Sequence, residues 1–299
     1  MLIVFLFLSL LLVVPATSKE QSEHLYGLVE ETQEIRQRGL RQTRTLHFYA
    51  LGDVPYLDRD WESLPSQIDA LSSYADFAMH VGDLKKRSTR CRERDYTSFA
   101  AIMQKSLVPV FNTIGDNDVV ECANSLDAYA LWQSTFGNFD SKWIKPFTVS
   151  RQDGRPENFA FEHNYVFVIG LHVVHASFKE DPILYSVVED SLAWLVGHEE
   201  AIRNSKAVVI FGHTYPVHPK YLPVKEALIS LVTSLPDTPF LYIQGEKHNF
   251  LADNPIAQAN NFLRVIVDKG GIADPLEVLV DPEADVPFKL KRRALLMES

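Results

Sequence analysis

Cysteine is nearly absent, since the 299-residue chain carries only Cys91 and Cys122. Two thiols cannot complete a cysteine zinc knuckle, and without a Cys-x-x-Cys pair there is no dithiol redox motif. A basic excess is missing too: 29 Lys and Arg face 39 Asp and Glu, for a formal net charge of -10 at pH 7. That balance argues against general attraction to a phosphate backbone, so no nucleic-acid partner is expected, although a local basic or metal-centred pocket still admits an anion. No Gly-x-Gly-x-x-Gly or phosphate-loop motif follows the first apolar strand, which counts against a cofactor-dependent α/β protein. No Asn-x-Ser/Thr acceptor occurs, so N-glycosylation is not expected, and beyond the first residues no apolar run is long enough to span a bilayer.

What is present begins with that first run. Leu2 to Val14 is almost uninterruptedly apolar and leads into Pro15-Ala16-Thr17-Ser18, small residues at the spacing a signal peptidase accepts. Residues 1–18 are therefore expected to be a signal peptide cleaved after Ser18, since the run falls short of the roughly 20 residues a spanning helix needs. The lack of a basic residue ahead of it keeps an uncleaved anchor as the alternative. Residues 19–44 form a polar leader rich in Glu, Gln and Arg, and one folded domain is expected over 45–290. The mature product is expected in the secretory pathway, secreted or lumenal, with no membrane contact after cleavage. In that oxidising setting Cys91 and Cys122 read as one disulfide, whereas a cytosolic chain would keep two unpaired thiols.

Along the domain, short apolar runs end repeatedly in a glycine followed by a polar side chain. Leu46 to Leu51 ends in Gly52-Asp53, Phe77 to Val81 in Gly82-Asp83, and Val108 to Ile114 in Gly115-Asp116-Asn117-Asp118. Helical spacing over Leu64 to Tyr74 and Tyr96 to Leu107 separates them. Strand, helix, strand is the βαβ pattern, which brings the strand ends, and so three aspartates, to one rim. Further strands are predicted at Tyr165 to Leu171, at Ala207 to Phe211 ending in Gly212-His213, and at Phe240 to Gln244 ending in Gly245-Glu246-Lys247-His248. Phe262 to Val267 and Leu276 to Val280 read as a closing antiparallel pair joined through Gly270-Gly271.

Asp53, Asp83, Asp116, His213, Glu246 and His248 thus all stand just beyond strands, and a mixed carboxylate and imidazole set suits Zn, Mn or Fe. A lone Gly-Asp turn is common, but five glycine-opened turns each offering a ligand are hard to obtain from turn propensity, and carboxylates gathered at one rim repel without a cation. His172 and His175 sit at the end of one strand, where each reads as a core or surface histidine or, as the alternative, one of them faces the pocket. Lys85, Lys86 and Arg87 follow the Asp83 turn and either hold an anionic substrate or form a solvated charge run. Tyr56 either orients substrate or packs. Cys91 and Cys122 lie just past the Asp83 and Asp116 turns, where a bridge would brace both loops.

The sequence resembles the calcineurin-like metallophosphoesterases, whose pattern runs Asp-x-His, Gly-Asp-x-x-Asp, Gly-Asn-His-Asp/Glu, a lone His, then Gly-His-x-His. The resemblance spans Leu46 to Phe250. It implies an α/β fold, a four-layer sandwich of two mixed β-sheets flanked by helices, hosting one or two divalent or trivalent metal ions. One ion would keep Asp83, Asp116, His213 and Glu246, and the other Asp53, Asp83 and His248. Tyr215-Pro216-Val217-His218 resembles the segment after the metal histidine of purple acid phosphatases, which makes His218, with Lys85, Lys86 and His175, a candidate substrate contact. Three positions depart from the pattern. Pro55 replaces a ligand histidine, Lys86 replaces the last acid of the second motif, and Asn117 occupies the catalytic histidine's place. Asparagine cannot act as a general acid but can hydrogen-bond a phosphoryl oxygen. The function implied is hydrolysis of phosphate mono- or diesters of a phosphorylated small molecule by a metal-activated hydroxide. The alternative is a non-catalytic binding or scaffold relative that has lost catalytic residues.

Overall fold

Strands β1 (Leu46–Leu51), β2 (Phe77–His80) and β3 (Val110–Asn112) bury nearly every side chain, which is why they read as continuous apolar runs rather than alternating ones. The protein is seen here in a computed structural model that describes residues 45–175, 182–271 and 273–293. The expected signal peptide and polar leader lie outside the described residues.

The chain adds β4 (Ser150–Gln152), β5 (Arg155–His163), β6 (Val166–Gly170), β7 (Ala207–Phe211), β8 (Phe240–Gln244), β9 (Leu251–Asp253), β10 (Phe262–Ile266), β11 (Leu276–Val280) and β12 (Phe288–Lys291). One sheet has the order β12-β11-β1-β2-β3 and the other β4-β5-β6-β7-β8-β10-β9. Both are mixed: β1, β2 and β3 run parallel while β11 is antiparallel to β1, and β6, β7, β8 and β10 run parallel while β5 and β9 are antiparallel neighbours.

The period of two sorts each strand between two cores. Phe48, Phe77 and Phe111 from the first sheet pack against Phe161, Phe211 and Ile243 from the second, with Phe77 and Phe161 ring centroids 5.5 Å apart. The intervening residues face outward. Tyr49, Ala78 and Val110 lie under α1 (Asp58–Asp69), α2 (Glu93–Met103) and α3 (Ser125–Phe136), sharing a core with Ile68, Tyr96 and Trp132. Val208, Ile210 and Tyr242 lie under α4 (Pro182–Gly197), α5 (Glu199–Asn204) and α6 (Leu222–Ser234). Helices, sheet, sheet, helices is the expected four-layer sandwich. Among the described residues no helix is long and apolar enough to cross a membrane.

One expectation is overturned. β10 and β11 do not form a hairpin: β10 lies between β8 and β9, whereas β11 pairs with β1 and β12 in the other sheet. Val265 and Val278 share the core between the sheets instead of lying side by side, so the same apolar pattern serves opposed sheets. The Gly270-Gly271 segment is a passage between sheets, with a bridge between Gly52 and Lys269 where it passes the first candidate turn. α1 also starts earlier than predicted. The Asp60 carboxylate accepts the Tyr56 and Leu57 amides at 2.9 Å, satisfying donors at the helix start and setting its first turn.

Candidate metal centre

Five strands of the two sheets, β1, β2, β3, β7 and β8, deliver Asp53, Asp83, Asp116, His213 and Glu246 to one place. Glycine makes the approach possible. Gly82 has φ +93°, and a Cβ added at Gly115 would lie 2.1 Å from Asp83 Oδ1, so any side chain there would collide with the carboxylate. Asp53, Asp83, Glu246 and His248 themselves adopt left-handed backbone, with φ of 54°, 63°, 72° and 61°.

The turns are held by a residue the sequence reading did not single out. Asp118 is fully buried, and its carboxylate accepts the amides of Asp83 (2.9 Å), Leu84 (2.9 Å) and Gly115 (2.7 Å), locking the second and third turns together. Burial raises Asp118 to about 6 even so. Its place as the fourth residue of Gly115-Asp116-Asn117-Asp118, where an aspartate side chain reaches neighbouring amides, was the available signal. Across the rim, the Glu246 amide donates to Asp53 Oδ2 at 3.1 Å, and His248 Nε2 stands 3.2 Å from Asp53 Oδ1. The Cys91–Cys122 disulfide is formed, with Cα atoms 5.8 Å apart, and braces these loops as expected.

Tyr56 belongs to the centre. Its hydroxyl donates to the Asp83 carboxylate and accepts from Asn117 Nδ2 at 3.0 Å, and it lies 3.4 Å from Asp53 Oδ1. Burial, reinforced by the Asp83 and Asp53 charges, pushes this phenol far above its ordinary value, so it remains a donor. Pro55, joined to Val54 by a cis peptide, contributes no donor. The Asn117 amide also donates to Asp83, through its backbone at 3.0 Å and through Nδ2.

His213 sets the chemistry. Its Nδ1 lies 2.8 Å from the Val81 carbonyl oxygen. A carbonyl only accepts, so Nδ1 carries the hydrogen. Nε2 is fully buried, without a hydrogen-bond partner among the described residues, and points at Asp116 Oδ1 (3.3 Å), Glu246 Oε2 (3.3 Å) and Asp83 Oδ1 (3.5 Å). An Nε2 lone pair facing three carboxylates is repulsive unless a proton or a cation stands among them. Without a metal the proton wins: burial alone would lower the ring, but Asp83, Asp116 and Glu246 outweigh it and hold His213 well above the imidazole range. Burial conversely raises Asp83 well above the carboxylate range, against the pull of His213. Asp53, Asp83 and His213 offer one set of converging donor atoms, and Asp116, His175 and Glu246 offer a second, so His175, expected as a substrate contact, stands among the donors, while His248 reaches the rim only beside Asp53. The residues present therefore fit a metal ion.

A cleft of about 480 Å³ opens over the carboxylates, lined by Tyr56, Asn117, Lys86, Arg87, His175 and His248 among others. His175 is the pocket-facing histidine of its pair, its Nδ1 3.5 Å from Glu246 Oε1. His172 is buried instead, with Nδ1 2.9 Å from Glu157 Oε1, a carboxylate that also accepts the Tyr129 hydroxyl. Of the expected substrate contacts, Lys86 lines the cleft, but Lys85 is buried with Nζ 3.4 Å from the Thr89 carbonyl oxygen, where its charge faces those of Asp118 and Asp83. His218 accepts the Lys220 amide through Nδ1 at 3.2 Å and is not among the cleft-lining residues.

Among solved structures, the chain is similar to purple acid phosphatase PPD1 from yellow lupin (Lupinus luteus) seeds, with a TM-score of 0.52 at 12% identity, covering 85% of this chain and 52% of that one. It is also similar to GAP50, the anchor in the inner membrane complex of Plasmodium (TM-score 0.49, 13% identity, 84% of this chain and 89% of that one), and to TT1561 of Thermus thermophilus (0.44, 14%, 84% and 99%). The chain thus spans about half the length of the lupin phosphatase. No protein-family model matches the sequence, and no curated protein does. The fold is that of the calcineurin-like metallophosphoesterases.

Proposed function

We propose that the chain is a secreted, metal-dependent phosphoesterase that hydrolyses phosphate mono- or diesters of a small molecule. The carrying observation is His213, whose tautomer is fixed by the Val81 carbonyl and whose fully buried Nε2 faces three carboxylates. Asp83, Asp116, His213 and Glu246 would hold one divalent or trivalent ion, and Asp53, Asp83 and His248 a second, weaker one for want of a donor at Pro55. Fe, Mn and Zn all suit this mixture of oxygen and nitrogen. A bound ion supplies Lewis acidity toward a phosphoryl oxygen and attacking water. Lys86 stands exposed at the mouth and attracts the anion, while Arg87 is engaged by Glu121 at 2.8 Å. Asn117 orients a phosphoryl oxygen but cannot protonate the departing alkoxide, so esters with good leaving groups are the better substrates. Residues 1–18 are the cleaved signal in this reading and 45–290 the hydrolase domain, and the disulfide supports an oxidising compartment.

One observation favours the non-catalytic alternative. The Asn117 Nδ2 group is already engaged by Asp83 and Tyr56, so the position the resemblance gives to a general-acid histidine holds an amide tied to its neighbours. Metal analysis of the purified mature protein, with turnover of p-nitrophenyl phosphate and its bis-ester before and after Asp83→Ala, separates the readings. The phosphoesterase reading expects bound transition metal and a rate that Asp83→Ala lowers at least about 100-fold. Equal residual rates in both proteins, with metal present, leave the binding or scaffold reading standing. No metal after careful preparation sinks the site itself.

A further inference from the structure

Beside the metal cleft lies a second one of about 570 Å³, and the two share His175 and Glu246. Tyr215, Gln244, Phe250, Leu251 and Ile266 line its apolar body, and Leu251 and Val217 stand exposed at its side. Its size is that of a small-molecule pocket, and solvent-exposed apolar side chains at a cleft mark a binding surface. Its polar atoms are more informative. Gln244 and Tyr215 are each only 3% exposed, yet Gln244 Oε1 and the Tyr215 hydroxyl have no hydrogen-bond partner among the described residues. Gln244 Nε2 is turned to the Gly245 carbonyl oxygen at 3.4 Å, leaving its amide oxygen as a buried acceptor in want of a donor. Arg264 also lines the cleft, but its Nε is 2.8 Å from Asp253 Oδ1 and its guanidinium lies over the Tyr215 ring, so its charge is neutralised. An anion would meet the Gln244 oxygen and the Glu246 carboxylate unfavourably and find Arg264 already paired, with only the solvent-exposed Lys247 at the rim to attract it. A saturated chain would leave both polar atoms unsatisfied.

We propose that this second cleft is a leaving-group pocket for a planar heteroaromatic ring bearing an N–H donor, such as a nucleobase, carried by an ester whose phosphate sits in the adjoining metal cleft. The inference rests on the phosphoesterase reading for its chemistry but not for its binding. In the hydrolysis, water supplies the oxygen that bonds to phosphorus as the ester P–O bond to the leaving alcohol breaks, and a proton from that water goes to the leaving oxygen. The ring settles between Phe250 and Ile266, with its N–H toward Gln244.

Adenosine, which lacks a phosphate, tests the pocket alone. Titrated calorimetrically into chelator-treated protein, it is expected to bind in the millimolar range or tighter, and Leu251→Asp and Gln244→Leu each weaken it about five- to tenfold by spoiling apolar contact or removing the acceptor. Leu251 is exposed, so its variant serves should Gln244→Leu not fold. In turnover, the ratio of kcat/KM for adenosine monophosphate to that for glycerol phosphate falls by the same factor in each variant. No adenosine binding to the wild-type protein, or equal binding by all three proteins, overturns the pocket whatever the turnover. Adenosine binding that the variants weaken, with no ester hydrolysed, keeps the pocket and sinks the phosphoesterase reading. Turnover with one unchanging ratio across the three proteins does the reverse.

Discussion

Replacing Cys91 and Cys122 together by serine removes a bridge that closes a 31-residue separation. Chain entropy sets the size of the effect. Opening a loop of that length returns about 12 cal/mol/K to the unfolded ensemble, or about 3.7 kcal/mol at 25 °C. The folded side changes little, because the same loops are also tied without the sulfurs. The Tyr96 hydroxyl donates to the Asp118 carbonyl oxygen at 2.6 Å, the Glu121 amide to Asp116 at 3.0 Å and the Cys122 amide to Val119 at 3.0 Å. A serine at 122 can hydrogen-bond where the sulfur stood, Cys122 Sγ lying 3.5 Å from the Asp118 carbonyl oxygen. Urea unfolding of the chelator-treated protein is the assay, with wild type, wild type under reductant and the double variant side by side. The variant and the reduced wild type are expected to coincide, about 3–4 kcal/mol below the oxidised protein, with Tm lower by roughly 7–15 °C. A loss under about 1 kcal/mol refutes the entropic account, and a gap between the variant and the reduced wild type shows that serine disturbs the native loops.

Two further outcomes are expected at residues that are not themselves candidate donors. Burial lowers His80 to about 4 from an ordinary 6.5, so the unfolded chain takes up this proton first as pH falls. Its stabilising share is whole above pH 6.5, drains as pH drops toward 4 and amounts to up to about 3 kcal/mol, so His80→Gln should flatten the urea midpoint across that window, and an unchanged slope would contradict the assignment. Glu157, fully buried against His172 and Tyr129, should cost about 2–4 kcal/mol as Glu157→Ala because His172 Nδ1 and the Tyr129 hydroxyl both lose their buried hydrogen-bond partner, and a loss below about 1 kcal/mol by the same assay rules this out.

Much of the rim was legible because strands buried on both faces write themselves as unbroken apolar runs and because only glycine admits a carboxylate at such close range. Gly82 and Gly115 carry both signals at once, which is why the Asp83 and Asp116 turns stand out in the sequence. Pairing was not legible. The alternation in Phe262–Ile266 and Leu276–Val280 is the same whether the strands lie side by side or face each other, and the long-range partners that decide between these leave no local mark. β5 escaped for a related reason, since Arg155, Glu157 and Asn158 make it read as polar while Asp190 and His172 satisfy those groups from elsewhere in the chain. Sidedness of single residues is equally invisible: neighbours Lys85 and Lys86 read alike, yet one turns inward to face the carboxylates and the other reaches the cleft.

The left-handed backbone at Asp53, Asp83, Glu246 and His248 sets durability against competence at each of these positions. Glycine would adopt that conformation freely, relieving on the order of 1 kcal/mol per site while deleting a candidate donor. A library of variants selected only for resistance to heat in the presence of a chelator would therefore drift toward glycine at these four places and disarm itself as it hardened. The same selection run with the metal supplied would hold the side chains, since the ion would then repay the backbone for a shape it does not choose.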